Sequence, residues 1–182
     1  MAHEDGEIYW YDPDPRAILP LDDRFHVSKS LARTIRQRKF DIRVDTAFTA
    51  VMQACAQPAP GRETTWISDE LIAAYTRLHR AGYAHSVEAW QNGKLVGGLY
   101  GVSLGALFAG ESMFSRARDS SKVALVYLVE HLRRRRFTLL DVQFMTEHLR
   151  RFGAIEIPAA EYKRRLALAL HVPTDFCMGG GG

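Results

Sequence analysis

The chain has 182 residues, 47% of them hydrophobic, which supplies one compact domain with a core and excludes disorder beyond the ends. Lys and Arg number 24 against 21 Asp and Glu, and a net charge of +3 is too small to mark a nucleic-acid binder by itself. The two cysteines, Cys55 and Cys177, lie far apart and near no histidine pair at metal spacing, which excludes a disulfide framework and gives no zinc motif.

The first segment, "YWYDPDPRAIL", carries Pro13 and Pro15, which push their neighbours towards extended backbone. Ser28 reads as the N-cap of a helix over "KSLARTIRQRK", with Leu31 and Ile35 on one face. "FDIRV" alternates as a strand, and Asp45 is placed to cap a helix over 46–56. "QPAPGR" breaks the pattern and reads as a linker. Ser68 then caps a helix whose first turn holds Asp69 and Glu70, whose face carries Leu71, Tyr75 and Leu78, and which stops at Gly82.

"AHSVEAWQ" and "KLVGGLYGVS" flank Asn92-Gly93, a hairpin turn, and "ALFAG" follows as a third strand. A helix is predicted from Ser120 to Arg136, then a strand over "FTLLDVQF", a short helix over "TEHLRRFG", a strand at "AIEI" and a last helix over "AAEYKRRLALAL". The class is α+β, with an antiparallel meander feeding a helix, and it fits an acyltransferase fold of the GNAT type. The coenzyme A loop of that fold, Gln/Arg-x-x-Gly-x-Gly, is not present in "SRARDSSKVAL", so no coenzyme A and no other cofactor or metal is expected. The organisation read from the sequence is a small N-terminal lobe over 1–60, the acyltransferase domain over 61–178 and a glycine tail over 179–182.

No signal peptide is read at the polar N-terminus. The most membrane-like run, Leu95 to Gly110, falls short of the ~20 residues that span a bilayer. A soluble, reduced, cytoplasmic protein is expected. Basic residues cluster at Lys29, Arg33 and Arg36, and again at Arg133, Arg134, Arg135 and Arg136. Each cluster is either a solvated helix face or a set of phosphate contacts.

Several longer blocks are specific: "FHVSKSLARTIR", "TWISDELIAAYTRLHRAGYAHSVEAW", "GKLVGGLYGV", "GESMFSR" and "LLDVQFMTEHLRRFGA". In order and spacing, from Trp10 to about Tyr162, the chain resembles the bacterial leucyl/phenylalanyl-tRNA–protein transferases. The resemblance implies transfer of leucine, phenylalanine or methionine from aminoacyl-tRNA to proteins beginning with Lys or Arg, which marks them for N-degron degradation. It implies aminoacyl-tRNA and protein N-termini as partners, no membrane, and a monomer. One departure is the Gly-Leu-Leu-Ala-x-Gly-Gly segment that family members carry before the Trp10 block, which this sequence lacks.

Attack of an α-amine on an already activated ester needs no metal or covalent nucleophile. The site must hold the ester, hold the amine and accept a proton. Asp141 and Gln143 stand two apart on a strand and so share a face, as a polar strand end or as one site. The resemblance implies the latter; because an amide oxygen is a very weak base, Gln143 is read as orienting the amine and Asp141 as fixing Gln143, and Glu111, carried there by the strand from Ala106, is read as receiving the acceptor's positive charge. It also implies a donor side-chain pocket from Leu99, Phe108, Leu125, Leu128, Leu132 and Leu140, although each is equally an ordinary core residue. Trp10, Tyr11 and Trp66 are candidates to stack on the terminal adenosine, or structural aromatics. Two other readings stay open: a leucyltransferase acting on N-terminal Asp or Glu, and a non-catalytic tRNA-binding homologue.

Overall fold

The computed structural model of the chain describes residues 12–58 and 65–177. Its centre is a sheet in which seven described strands run in the order β2-β3-β4-β5-β6-β1-β7. The strands are β1 (Arg16–Leu19), β2 (Asp41–Val44), β3 (Ala84–Gln91), β4 (Lys94–Leu104), β5 (Leu107–Ser115), β6 (Leu139–Gln143) and β7 (Ile155–Ile157). The helices are α1 (Lys29–Arg36), α2 (Phe48–Ala56), α3 (Asp69–Arg80), α4 (Ser120–Arg134), α5 (Glu147–Arg150) and α6 (Ala159–Leu170). Every pair is antiparallel except β5 with β6. The mixed α and β class expected from the sequence is therefore observed.

Local chemistry explains several boundaries. Ser28 and Ser68 accept from the N–H of Leu31 and Leu71, three residues on, as N-caps do. Asn92 and Gly93 both have positive φ, 51° and 73°, which a tight two-residue hairpin turn demands. Gly97 admits α4: a Cβ there would lie 2.2 Å from Ser120 Oγ, and that hydroxyl donates to Val96 O at 2.9 Å. The Gly97–Ser120 contact sets the corner where the meander turns into the helix.

Two expectations are corrected. Asp45 does not cap α2, whose N-cap is Ala47. At φ 58° the Asp45 carboxylate turns back and accepts the Ser86 N–H at 2.8 Å. The third meander strand is also longer than "ALFAG", running on through Glu111, Ser112, Met113 and Phe114 to Ser115. The polar residues there are not a loop, because pairing with β4 continues to Gly97↔Ser115.

The largest apolar cluster lies between α4 and the sheet and includes Leu99, Phe108, Leu125, Leu128, Leu132 and Leu140. A second, around Met52 and Tyr100, packs α2 under β4. A third, around Leu139 and Tyr162, lies under α6. Strand β1 sits between β6 and β7 and β2 lies at the far edge, so both early strands belong to the one sheet. The buried Glu88 carboxylate anchors the start of α2 by accepting from Ala47 N–H at 2.7 Å and from the Thr46 hydroxyl. Among the described residues no helix is long and apolar enough to cross a membrane.

Candidate active site

Strands β5 and β6 pair only over Leu107↔Leu139, Phe108↔Leu140 and Ala109↔Asp141. Beyond that register β5 carries a bulge: Gly101 faces Gly110 and Tyr100 faces Ser112, which leaves Glu111 as the extra residue. A second irregularity bends β6, where Ile18 faces Asp141 and Ala17 faces Gln143, leaving Val142 over. A cavity of about 170 Å³ lies where the two strands end their pairing, with Gly110, Glu111, Ser112 and Met113 on one wall and Leu140 and Val142 on the other.

The lining is mostly apolar, with Glu111 and Ser112 at the rim and Thr146 and His148 as its other polar members. Leu99, Leu125, Leu128 and Leu140 line the cavity. Phe108 and Leu132 are not among its lining residues. Phe108 is fully buried and its ring stacks on Phe176 at 5.3 Å, while Leu132 is fully buried in the same cluster. Sequence periodicity cannot separate a pocket wall from core: all six belong to the buried cluster, and four of them also line the cavity. Tyr100 and His148 complete the wall. Burial, then the nearby Lys122 and Arg151, push the His148 imidazole below its ordinary pKa, which keeps a neutral ring against an apolar space.

The three polar residues meet, although not by strand alternation. Gln143 has φ 63°, and Phe144 N–H closes back to Val142 O at 2.7 Å, so Gln143 is the centre of a strained γ-turn. Its backbone N–H donates to Asp141 Oδ1 at 2.9 Å, and its side-chain Nε2 donates to Gly110 O at 3.3 Å and Glu111 Oε2 at 3.4 Å. The amide oxygen takes part in none of these bonds.

Asp141 is only 1% exposed. Arg16 donates to it twice, Nε to Oδ1 at 3.1 Å and Nη2 to Oδ2 at 2.7 Å, and Tyr162 Oη donates to Oδ2 at 2.8 Å. The Arg16 guanidinium also lies 4.6 Å from the Tyr162 ring centroid. Asp141 thus fixes the Gln143 turn, and its charge is neutralised by Arg16.

Glu111 is half-buried at the cavity rim. Burial raises its carboxyl pKa and Asp141 adds to the rise, while hydrogen bonds from Gln143 and Tyr75 and the charge of Arg16 oppose it. Tyr75, on α3, is itself raised, by burial first and then by Glu111. Arg16, Tyr75 and Tyr162 are the site residues that sequence reasoning missed. Only the "DPDPR" block around Arg16 carried a local signal, and the two tyrosines look like face residues of amphipathic helices.

Trp10 and Tyr11 lie outside the described residues. Trp66 is half-buried against the cluster that contains Tyr100, and does not line the cavity. Lys29, Arg33 and Arg36 are exposed at four- and three-residue spacing along α1. The second cluster divides. Arg133 donates to Leu21 O at 3.1 Å and to Asp22 O, and Arg135 donates to Asp175 O at 2.7 Å and Cys177 O at 2.8 Å. Arg134 lies 5.7 Å from the Tyr127 ring centroid, and Arg136 is exposed at φ 61°.

A family model described as leucyl/phenylalanyl-tRNA protein transferase matches residues 18–167. A leucyl/phenylalanyl-tRNA–protein transferase of Herpetosiphon aurantiacus is 65% identical over 173 residues, covering 95% of this chain and 88% of the relative. Proteins of the same name from Phenylobacterium zucineum and Maricaulis maris are 57% and 56% identical, covering 96% of this chain and 79% and 81% of theirs. The chain is a member of the leucyl/phenylalanyl-tRNA–protein transferase family.

Proposed function

We propose that the chain transfers leucine or phenylalanine, and methionine as a third donor, from aminoacyl-tRNA to proteins whose first residue is Lys or Arg. The product then enters N-degron degradation. The observation that carries this reading is the 170 Å³ apolar cavity whose rim is the Glu111–Gln143 pair. An apolar donor side chain unbranched at Cβ, such as that of leucine, methionine or phenylalanine, fits such a space, and its ester carbonyl then lies at the rim.

In the reaction a C–N bond forms between the acceptor amine and the acyl carbon, and the ester C–O bond to the terminal ribose breaks. The amine loses one proton and the ribose oxygen gains one. Gln143 Oε1 accepts from the attacking amine and orients its lone pair on the carbonyl carbon. Asp141, neutralised by Arg16 and tied to Tyr162, holds the Gln143 turn in place. Glu111 offsets the positive charge of the amine or of the acceptor's basic side chain. Positioning an activated ester and an amine together contributes about 7–11 kcal/mol in favourable cases, so no covalent intermediate is needed.

The short parallel register of β5 and β6, with a bulge on β5 and a substrate space where pairing ends, supports a sheet of the GNAT acyltransferase type. Lys29, Arg33 and Arg36 form the phosphate-contacting face, with Trp10, Tyr11 and Trp66 as platforms for the terminal adenosine. The test is incubation with leucyl-tRNA and an Arg-initiated peptide. A mass gain of one leucyl residue at the peptide N-terminus supports the reading, and leucyl-tRNA hydrolysis or binding without transfer contradicts it.

A further inference from the structure

Asp45, His85 and Cys177 come from the end of β2, from β3 and from the C-terminal segment. Their ligand atoms all lie within 4.8 Å of one another. No spacing rule finds such a set, because its members stand far apart in sequence. None of them lines the transfer cavity.

The hydrogen-bond arithmetic around His85 is the second observation. A neutral imidazole carries one N–H. Both ring nitrogens of His85 face oxygen acceptors: Nε2 faces Gly82 O at 3.2 Å, and Nδ1 faces Asp45 Oδ2 at 2.7 Å. If the single N–H is donated to Gly82, the Nδ1 lone pair points at a carboxylate oxygen. With the N–H on Nδ1 the 2.7 Å contact is an ordinary His–Asp hydrogen bond; with it on Nε2, a cation can hold the Nδ1 lone pair and the Asp45 oxygen together, and the Cys177 sulfur is the third donor beside them. A backbone carbonyl holding the far ring N–H is also the usual outer partner of a metal-bound histidine.

The surroundings orient the other two groups. The Ser86 N–H fixes Asp45 Oδ1 at 2.8 Å, and Asp45 is held at φ 58°. Cys177 N–H donates to Asp175 Oδ1 at 2.9 Å, and Arg135 Nη2 holds Cys177 O at 2.8 Å. Between them Phe176 is buried and stacks on the His85 ring at 4.2 Å. Thiolate, imidazole and carboxylate together suit a borderline-soft divalent ion, zinc above all.

We propose that Asp45, His85 Nδ1 and Cys177 bind one Zn²⁺, with a solvent molecule as fourth ligand, clamping the C-terminal segment against β2 and β3. Cys177 gives its thiol proton to solvent when the metal enters. The site is structural and independent of the transfer chemistry.

The test uses the full chain, stripped with a chelator and titrated with Zn²⁺ or Co²⁺ alone. The expected result is uptake of one ion per chain, a thiolate-to-cobalt charge-transfer band, and a higher unfolding temperature with zinc. Cys177→Ser, at an exposed position, should abolish the band and weaken zinc binding at least tenfold while the chain stays folded. Asp45→Asn should also weaken binding at least tenfold. The proposal is overturned if Cys177→Ser binds zinc as the wild type does. It is overturned too if nitrogen NMR shows protons on both His85 ring nitrogens that zinc does not displace, for then an imidazolium fills the cation's place.

Discussion

Arg16 and Asp141, 125 residues apart, meet as a two-point ion pair in which the carboxylate is 1% exposed and the guanidinium side chain 14%. Strand β1 lies directly beside β6 and carries Arg16 to that carboxylate. Removing one partner of a buried pair leaves an uncompensated charge, which costs about 3–5 kcal/mol. Arg16→Met should therefore lose that order of stability in urea unfolding and transfer more than tenfold more slowly. A variant as stable and as active as the wild type would remove Arg16 from the site.

Gln143 combines a strained backbone with the amide proposed to receive the amine. A non-glycine residue at positive φ costs about 1–3 kcal/mol. Gln143→Gly relieves that strain and Gln143→Ala does not, so the glycine variant should be the more stable by about 1 kcal/mol. Both should cut single-turnover transfer more than tenfold, with circular dichroism unchanged. Normal transfer by either one would dismiss the side chain from the reaction.

Burial raises the Glu111 carboxyl in the folded chain, so at intermediate pH the native state binds more protons than the unfolded state. Stability then falls as pH rises from the unfolded carboxyl's range, ~4.3, through the raised folded value. Glu111→Gln should flatten that fall and stand more stable than wild type at neutral pH, while transferring more slowly. Parallel pH dependences for the two proteins would show that Glu111 ionises as freely folded as unfolded.

Leu128 lines the cavity and Phe108 does not. Leu128→Phe should reduce phenylalanyl transfer at least tenfold more than leucyl transfer, because it fills the space the larger donor needs. Phe108→Leu should lower the unfolding temperature and leave the donor ratio alone, since its ring packs on Phe176. A changed donor ratio in the Phe108 variant would return that residue to the pocket.

Each phosphate contact made by the exposed bases on α1 contributes ~0.7–0.9 to the slope of log affinity against log salt. Neutralising Lys29, Arg33 and Arg36 together should therefore lower the slope by about 2–3. Arg133→Ala and Arg135→Ala should instead act on stability, because their guanidiniums hold the carbonyls of Leu21 and Asp175. An unchanged slope in the α1 variant would make that helix face solvated surface.

Much of this architecture could be read from the sequence because it is written in local chemistry. Ser28 and Ser68 signal their own helices, Asn92-Gly93 its own hairpin, and "LLDVQF" its own strand. Glu111 and Gln143 were within reach because a family pattern marks them. The rest depends on partners that are distant in sequence. The β1 slot between β6 and β7, the Arg16–Asp141 pair and the Tyr75–Glu111 contact leave no local trace. The expected cap at Asp45 fails for the same reason, since a long-range bond to Ser86 outcompetes the local one. Leu132 and Leu128 share a helical period, which does not tell that Leu128 lines the cavity and Leu132 does not.

The central claim is that a site with Glu111 at its rim joins a donor residue to a basic N-terminus. It is tested most directly by single-turnover transfer from leucyl-tRNA to peptides differing only in their first residue, followed by mass. On the proposed reading a second positive charge at that residue would be offset by Glu111, whereas Ala brings no such charge and Asp would add repulsion. The expected order for the wild type is Arg and Lys alike, then Ala, then Asp. Glu111→Gln should lower transfer to the Arg peptide more than it lowers binding of a leucyl-adenosine analogue. Preferred transfer to Asp- or Glu-initiated peptides, or an Arg preference that survives Glu111→Gln undiminished, would contradict it.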